Sequence, residues 1–256
     1  MQKLLLLLLA VFPLHVLAAE PIAVWAYQPS PPFASGHSVG LSEAMVQLLN
    51  EHPTNHGRYD FQLTQLPRKR VDAQLAANKP GVLLWATPEF FPERLTAHAS
   101  WTRPLLCDIQ DFVSRSDAPV NYDGPRSLHG LRLGGILGHR YRALETDIDK
   151  GLIQREDVHS DLQNLNKLLS ERLDVALIPR SSRLFYSLTE IPEGQLHVSP
   201  SPLYVFDRHV LMTASLNADA TQFVQQLIAD LPHSARWQTL LRRYGLQPMN
   251  APCSYF

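Results

Sequence analysis

The sequence predicts an α/β fold in two lobes joined by two crossing strands. Strand-like and helix-like segments alternate from residue 21 to residue 244, the pattern of βαβ units and parallel sheets. Two wholly apolar runs of strand length, Val82–Trp85 and Val175–Ile178, have the character of strands buried on both faces. Proline-marked extended stretches near Arg103-Pro104 and at Pro200–Pro202 set a middle section of about residues 108–200 apart from the rest. The N- and C-terminal parts then share one lobe.

The elements follow in order. Pro21–Tyr27 reads as a strand, and Gln28–Phe33 as a proline-rich loop. Leu41, Ala44, Met45, Leu48 and Leu49 fall on one face of a helix over Leu41–Glu51. Arg58–Leu66 alternates as a strand, and Pro67 opens a helix that runs through Asn78, since a first turn tolerates proline. Gly81–Trp85 is a buried strand. Thr87–Glu93 is a loop leading to an extended stretch over Trp101–Ser114. Leu131–Leu137 is a strand, Tyr141–Lys150 a helix, and Leu162–Glu171 a helix with Leu162, Leu165, Leu168 and Leu169 on one face. A strand at Asp174–Ile178 and a helix over Ser181–Leu188 follow. Strands at Leu196–Ser199 and Tyr204–Thr213 precede two helices, Ala218–Leu231 and Ser234–Tyr244.

The N-terminus reads as an export signal. Lys3 supplies the positive charge, Leu4–Phe12 the apolar core, and Ala18-Ala19 the small residues of a cleavage site, with Pro13 breaking the run. The run is short for a membrane span, and no cysteine follows it to carry a lipid. Residues 1–19 are therefore expected to be removed, which places the mature chain outside the cytoplasm, in a bacterial periplasm. Losing Lys3 takes the net charge from −1 to −2. A nearly neutral chain without a basic face excludes nucleic acid as the expected partner. The two cysteines, Cys107 and Cys253, are too far apart in sequence for a CxxC site. In an oxidising compartment they pair as one disulfide; the alternative is two buried free thiols.

With the elements in place, the residues resemble a family: the family 3 extracellular solute-binding proteins, the periplasmic receptors of polar amino-acid ABC transporters. Ala26-Tyr27 through Pro31-Pro32-Phe33 is similar to that family's first strand and Pro-Pro-Phe loop. Gly40-Leu41-Ser42-Glu43-Ala44 resembles the opening of its first helix. Ala86-Thr87-Pro88 through Pro92-Glu93-Arg94 is similar to its Thr-Pro-Glu-Arg stretch, lengthened here. Leu128-His129-Gly130-Leu131-Arg132-Leu133-Gly134 resembles its Leu-x-Gly-x-x-Val-Gly segment at the start of the second lobe, and Arg172–Ala176 its Gly-Arg-x-Asp-Ala element without the glycine.

The resemblance implies a periplasmic-binding-protein clamshell of type II, two βαβ lobes on two hinge strands. Its lobe 1 spans residues 20–106 and 202–256, and its lobe 2 residues 107–201. It implies a monomer that closes on a small molecule, a polar or anionic, amino-acid-like solute, and serves an ABC permease or a membrane sensor. By motif, Arg94 grips a carboxylate through its bidentate fork; Arg103 is the rival, and a solvated surface arginine the alternative. Tyr27, Phe33, Trp85 and Thr87 fall on the lobe 1 wall, with ordinary core packing the alternative for the aromatics. His139, Arg140 and Tyr141 fall at a helix N-terminus of lobe 2, where free backbone N–H groups favour an anion. Asp174 is expected to be structural. Five residues beyond it, where the family often has an acid for the solute's ammonium, stand Pro179 and Arg180. Arg94, Arg140 and Arg180 together then suit an acidic solute.

Nothing in the sequence calls for a metal, a cofactor or catalysis. It contains no GxSxG elbow, HExxH or P-loop, and Pro53 separates His52 from His56. The competing classes are a periplasmic enzyme, dehydratase-like, on the same scaffold, and an interaction module whose cleft has lost its ligand.

Overall fold

The computed structural model describes residues 18–34, 40–192 and 194–255; the leader over residues 1–17 lies outside them. Strand β1 (Glu20–Ala26) pairs in parallel with β2 (Tyr59–Gln65) and β3 (Val82–Ala86). Helices α1 (Leu41–Glu51) and α2 (Arg68–Ala76) make the crossovers. The first N–H groups of α1 are satisfied by the preceding loop, Leu41 donating to the Pro32 carbonyl and Ser42 to that of Phe33. The loop's position is thereby tied to the helix. A short helix, α3 (Glu93–Thr96), and a two-residue strand, β4 (Ser100–Trp101), lead into β5 (Leu106–Arg115).

The second half is built on β6 (Arg132–Ile136), α4 (Glu145–Asp149), β7 (Gln154–Val158), α5 (Asp161–Leu169), β8 (Val175–Pro179), α6 (Arg180–Thr189) and β9 (Leu196–Val198). Strand β10 (Tyr204–Met212) then returns to the first half, followed by α7 (Ala218–Asp230) and α8 (Ala235–Tyr244). The strand order is β2-β1-β3-β10-β5-β8-β6-β7, with β4 on β10 and β9 on β5. The two strands that run between the halves are β5 and β10, antiparallel from Leu106↔Arg208 to Gln110↔Tyr204.

Apolar packing divides the same way. One set of cores gathers residues from β1, β3, α1, α7 and α8, including Trp237 and Leu241, with Trp25, Val71 and Leu83 on the opposite sheet face. A second set gathers Phe112, Leu133, Val175 and Leu177 on one side and Leu165, Leu168, Ala176 and Ile178 on the other. Two sheets, each covered by helices on both faces, are joined by paired strands.

Two readings of the sequence need correction. The helix expected over Tyr141–Lys150 is confined to Glu145–Asp149. The Tyr141 side chain is instead buried, with the Ile136 N–H donating to its hydroxyl at 3.1 Å. Strand β7 was not expected at all: Gln-Arg-Glu-Asp-Val is too charged to read as a strand, and it forms as the edge of the sheet, where charge is tolerated. Asp174 is structural as expected. It takes Arg132 bidentately at 2.7 and 3.1 Å and accepts the Arg132 N–H at 2.7 Å, and the guanidinium contacts hold its carboxyl below the usual range.

Cys107 and Cys253 form a disulfide with Cα atoms 4.8 Å apart. Cys107 lies on β5 opposite Asp207 of β10, and Asp207 accepts the Cys253 N–H at 2.8 Å. The C-terminal segment is thus fastened where the crossing strands pair. No helix among the described residues is long and apolar enough to cross a membrane.

Candidate functional site

The site is assembled where the loop after β1, the crossing strands and the N-termini of α5 and α6 converge. At its floor Arg208 of β10 donates from Nε to Asp108 Oδ2 of β5 at 2.8 Å, with Nη2 2.6 Å from the same oxygen. Both residues are buried. The Ser181 N–H and hydroxyl, in the first turn of α6, also donate to Asp108, at 3.1 and 2.7 Å. One carboxylate therefore joins both crossing strands to a helix of the second lobe. The Arg208 guanidinium also lies 4.4 Å from the Phe33 ring centroid and 4.9 Å from that of Phe206, cation–π range.

Beside this pair the lobes touch. The Ser182 hydroxyl of α6 donates to the Pro31 carbonyl at 2.8 Å, and the Asp161 N–H of α5 donates to Ser30 Oγ at 3.5 Å. Ser160 caps α5, leaving Asp161 in the first turn. Asp161 is only 3 % exposed, and its Oδ1 has no hydrogen-bond partner. Burial lifts its carboxyl to about 6, against the pull of the Ser182 and Ser30 hydroxyls; nearby Asp108 adds to the rise and Arg208 opposes it.

Around this point stand cations and rings from both sides. Arg68 of α2 lies 3.8 Å from the Phe91 centroid and 5.3 Å from that of Tyr27, while bonding Asp72 and the Phe90 carbonyl. Phe90 packs on Tyr204 and Phe206 at 5.6 and 5.1 Å. From the second lobe, His139 stacks on Tyr141 at 4.9 Å, and Arg155 lies 5.0 Å from the Tyr141 centroid and donates to the His139 carbonyl at 2.7 Å. The His139 ring is open to water, yet hemmed in by protein on the cleft side. That partial burial and the charges of Arg155, Arg68 and Arg208 push it down to about 4. An imidazole of one lobe therefore feels two arginines of the other across the cleft. Burial raises the Tyr27 phenol, against Arg68 and Arg208.

The residues expected from sequence separate into three groups. Tyr27, His139 and Tyr141 belong to this convergence. Phe33, Trp85 and Thr87 lie beneath it. Phe33 and Trp85 are core residues with rings 5.2 Å apart, and Trp85 Nε1 donates to Ser42 Oγ at 2.9 Å. Trp85 supplies a backbone group instead. Its φ of +58° lies at an irregularity in the β3–β10 register, and its carbonyl accepts from Gln28 Nε2 at 3.0 Å and Arg208 Nη1 at 3.5 Å. Thr87 is fully buried and donates to the Asp207 carbonyl.

The arginines form the third group. Arg180 is held bidentately by buried Asp111 at 2.8 and 3.0 Å, and exposed Arg140 pairs with Glu145. Arg94 is exposed on α3; the cations acting on Tyr27, His139, Tyr204 and Asp161 are Arg68, Arg142, Arg155 and Arg208. Sequence reasoning missed Asp161, Arg208, Asp108 and Arg68. Only the Ser160-Asp161 pair at a helix start offered a signal, and an acid there is ordinarily a solvated first-turn residue.

No family model matches the chain, and no curated protein matches it. Solved structures do. The GluR0 ligand-binding core from Nostoc punctiforme, in complex with L-glutamate, superposes with a TM-score of 0.67 at 16% identity, covering 88% of this chain and 99% of that one. Holo ArgBP from T. maritima gives 0.60 at 14%, covering 88% and 96%. An ancestral arginine-binding protein bound to arginine gives 0.65 at 11%, covering 89% and 99%. The chain therefore has the two-lobed periplasmic-binding-protein fold. Its likeness is to ligand-binding cores and substrate-binding proteins.

Proposed function

We propose that this protein is a periplasmic receptor that closes its lobes on a small amino-acid-like solute and hands it to an ABC permease or a membrane sensor. The observation that carries this reading is Asp161: a buried carboxyl between the lobes with one oxygen unpartnered. A buried polar atom without a partner costs free energy, and a ligand donor removes that cost. A solute ammonium is such a donor, so Asp161 takes the role for which Pro179 left no acid. Arg68, Arg155 and Arg208, with His139, provide the complementary field for the solute's anionic group. Tyr27, Phe90 and Tyr204 offer ring faces for its body.

Lobe 1 over residues 20–106 and 202–256 and lobe 2 over 107–201 fit the division of the cores. The receptor acts as a monomer after loss of residues 1–19. A thermal-shift screen of the mature chain against the twenty standard L-amino acids and dicarboxylates tests the reading, since a ligand that binds only the folded state raises Tm. At least one amino acid stabilises the protein and is recovered unchanged, and Asp161→Ala removes the shift. A screen in which only dicarboxylates act, or an undiminished shift in D161A, refutes it.

A further inference from the structure

The surroundings of Arg208 bear on which solutes the cleft admits, a question that rests on the receptor reading above. A buried guanidinium is recognised by a carboxylate at its edge, a carbonyl for a further N–H and rings against its body. Arg208 has all three. Its Nε and Nη2 lie 2.8 and 2.6 Å from Asp108 Oδ2, and Nη1 donates to the Trp85 carbonyl at 3.5 Å. The Phe33 and Phe206 centroids are 4.4 and 4.9 Å from the guanidinium carbon. The cage is drawn from β3, β5, β10 and the loop after β1, and both rings and both charges are buried. It also sits where the lobes meet. Ser181 bonds Asp108, and its neighbour Ser182 bonds Pro31 of the loop that carries Phe33.

We infer that Arg208 sets the specificity of the cleft: its own guanidinium fills the place that a solute guanidinium would take. The receptor therefore accepts amino acids with neutral or acidic side chains and rejects those with cationic ones. Without the Arg208 side chain, the cage becomes a site for a guanidinium from solution.

The accounting of carboxylates supports this. A carboxylate offers about four lone-pair sites, and Asp108 already meets the Ile109 N–H, the Ser181 N–H and hydroxyl, and Nε and Nη2 of Arg208. Nothing on it is left for a solute. Other acids beside the cleft arginines are committed in the same way: Asp111 to Arg180 and Arg183, Asp157 to Arg155, and Asp72 to Arg68. Asp161 keeps its open oxygen, which the receptor reading gives to the α-ammonium. A second cation on the same solute then meets carboxylates that are already paired, and taking an unpaired charge out of water is costly.

Thermal shift and calorimetry on the mature chain test this, with methylguanidinium as the probe. Arg208→Ala keeps Asp108 and both rings. It melts below the wild type, and about 10 mM methylguanidinium raises its Tm by about 3 °C while leaving the wild type unmoved. Urea or sodium chloride at the same concentration does not substitute, and adding Phe33→Leu weakens the response. In the wild type, arginine and lysine give no shift where a neutral or acidic amino acid does; in R208A the affinity for L-arginine rises at least about tenfold. A methylguanidinium response without that gain shows a structural ion pair only and overturns the specificity role. A wild type stabilised by arginine or lysine overturns it too, as does an R208A indifferent to methylguanidinium. If no amino acid stabilises the wild type, the receptor reading fails, and R208A with methylguanidinium and arginine still decides whether Arg208 fills a guanidinium site. Should R208A not fold, the wild-type screen decides: shifts confined to neutral or acidic amino acids uphold the assignment, and a shift by either cation overturns it.

Discussion

Arg208 and Asp108 form a buried ion pair whose remaining hydrogen-bonding capacity is taken up by Ser181, the Ile109 N–H and the Trp85 carbonyl. Such a pair adds modest stability over an apolar substitute, but removing one partner strands the other charge. Arg208→Met is expected to cost about 3–5 kcal/mol in urea unfolding, with much of the loss recovered in the double variant Arg208→Met, Asp108→Leu. Equal losses in the two variants would show that the pair is not the source. Trp85 is the other residue under constraint. A non-glycine at φ +58° costs about 1–3 kcal/mol, and Gln28 and Arg208 hold its carbonyl in the orientation that conformation produces. Neither role was legible in sequence: Trp85 was marked for the cleft wall or for core packing, not for its backbone carbonyl, and Arg208 was not marked at all.

The elements were largely legible, because burial follows their periodicity. The apolar face of α1 and the buried strands β3 and β8 occupy the positions their spacing predicts. The exceptions, α4 and β7, are polar segments whose state is set by neighbours. The C-terminal segment depends on a covalent tie. Between α8 and the disulfide it contributes Leu246 and Met249 to the lobe 1 core, and Cys253 then fastens it to β5. Cross-linking across 146 residues restricts the unfolded chain strongly. Cys253→Ser is expected to destabilise the protein by about 2–4 kcal/mol, read as a lower Tm, and reduction of the wild type should reproduce the effect. An unchanged Tm under reductant would refute a stabilising role.

For the whole molecule, contact between the lobes brings charges from both together and makes stability depend on pH. The folded state lowers His139 from its ordinary value to about 4, through burial and then Arg155, Arg68 and Arg208. The folded protein therefore binds fewer protons than the unfolded chain between about pH 6.5 and 4, and this group removes stability as pH falls through that window. Asp161, lifted to about 6, acts in reverse: the folded state holds its proton more tightly, so its contribution is present at acid pH and lost as pH rises through 6. His139→Gln is expected to hold its Tm better than wild type from pH 6.5 down to 4. Parallel Tm profiles would remove His139 as a determinant.

The sequence by itself determined the alternation of strands and helices, the two-lobed plan and the resemblance to solute-binding proteins, because hydrophobic periodicity and turn chemistry are local properties. Of the residues it marked for the site, Tyr27, His139 and Tyr141 reach the interlobe convergence, whereas Arg140 is paired with Glu145, Arg180 with Asp111, and Arg94 is exposed. Only the tertiary structure decided which charges are paired away and that Asp161, between the lobes, is left with an open oxygen. Asp161 has the same local sequence whether its first-turn carboxyl meets water or the opposite lobe. The difference lies in Ser30 and Ser182, 131 residues before it and one helix after it, brought to its side only by folding.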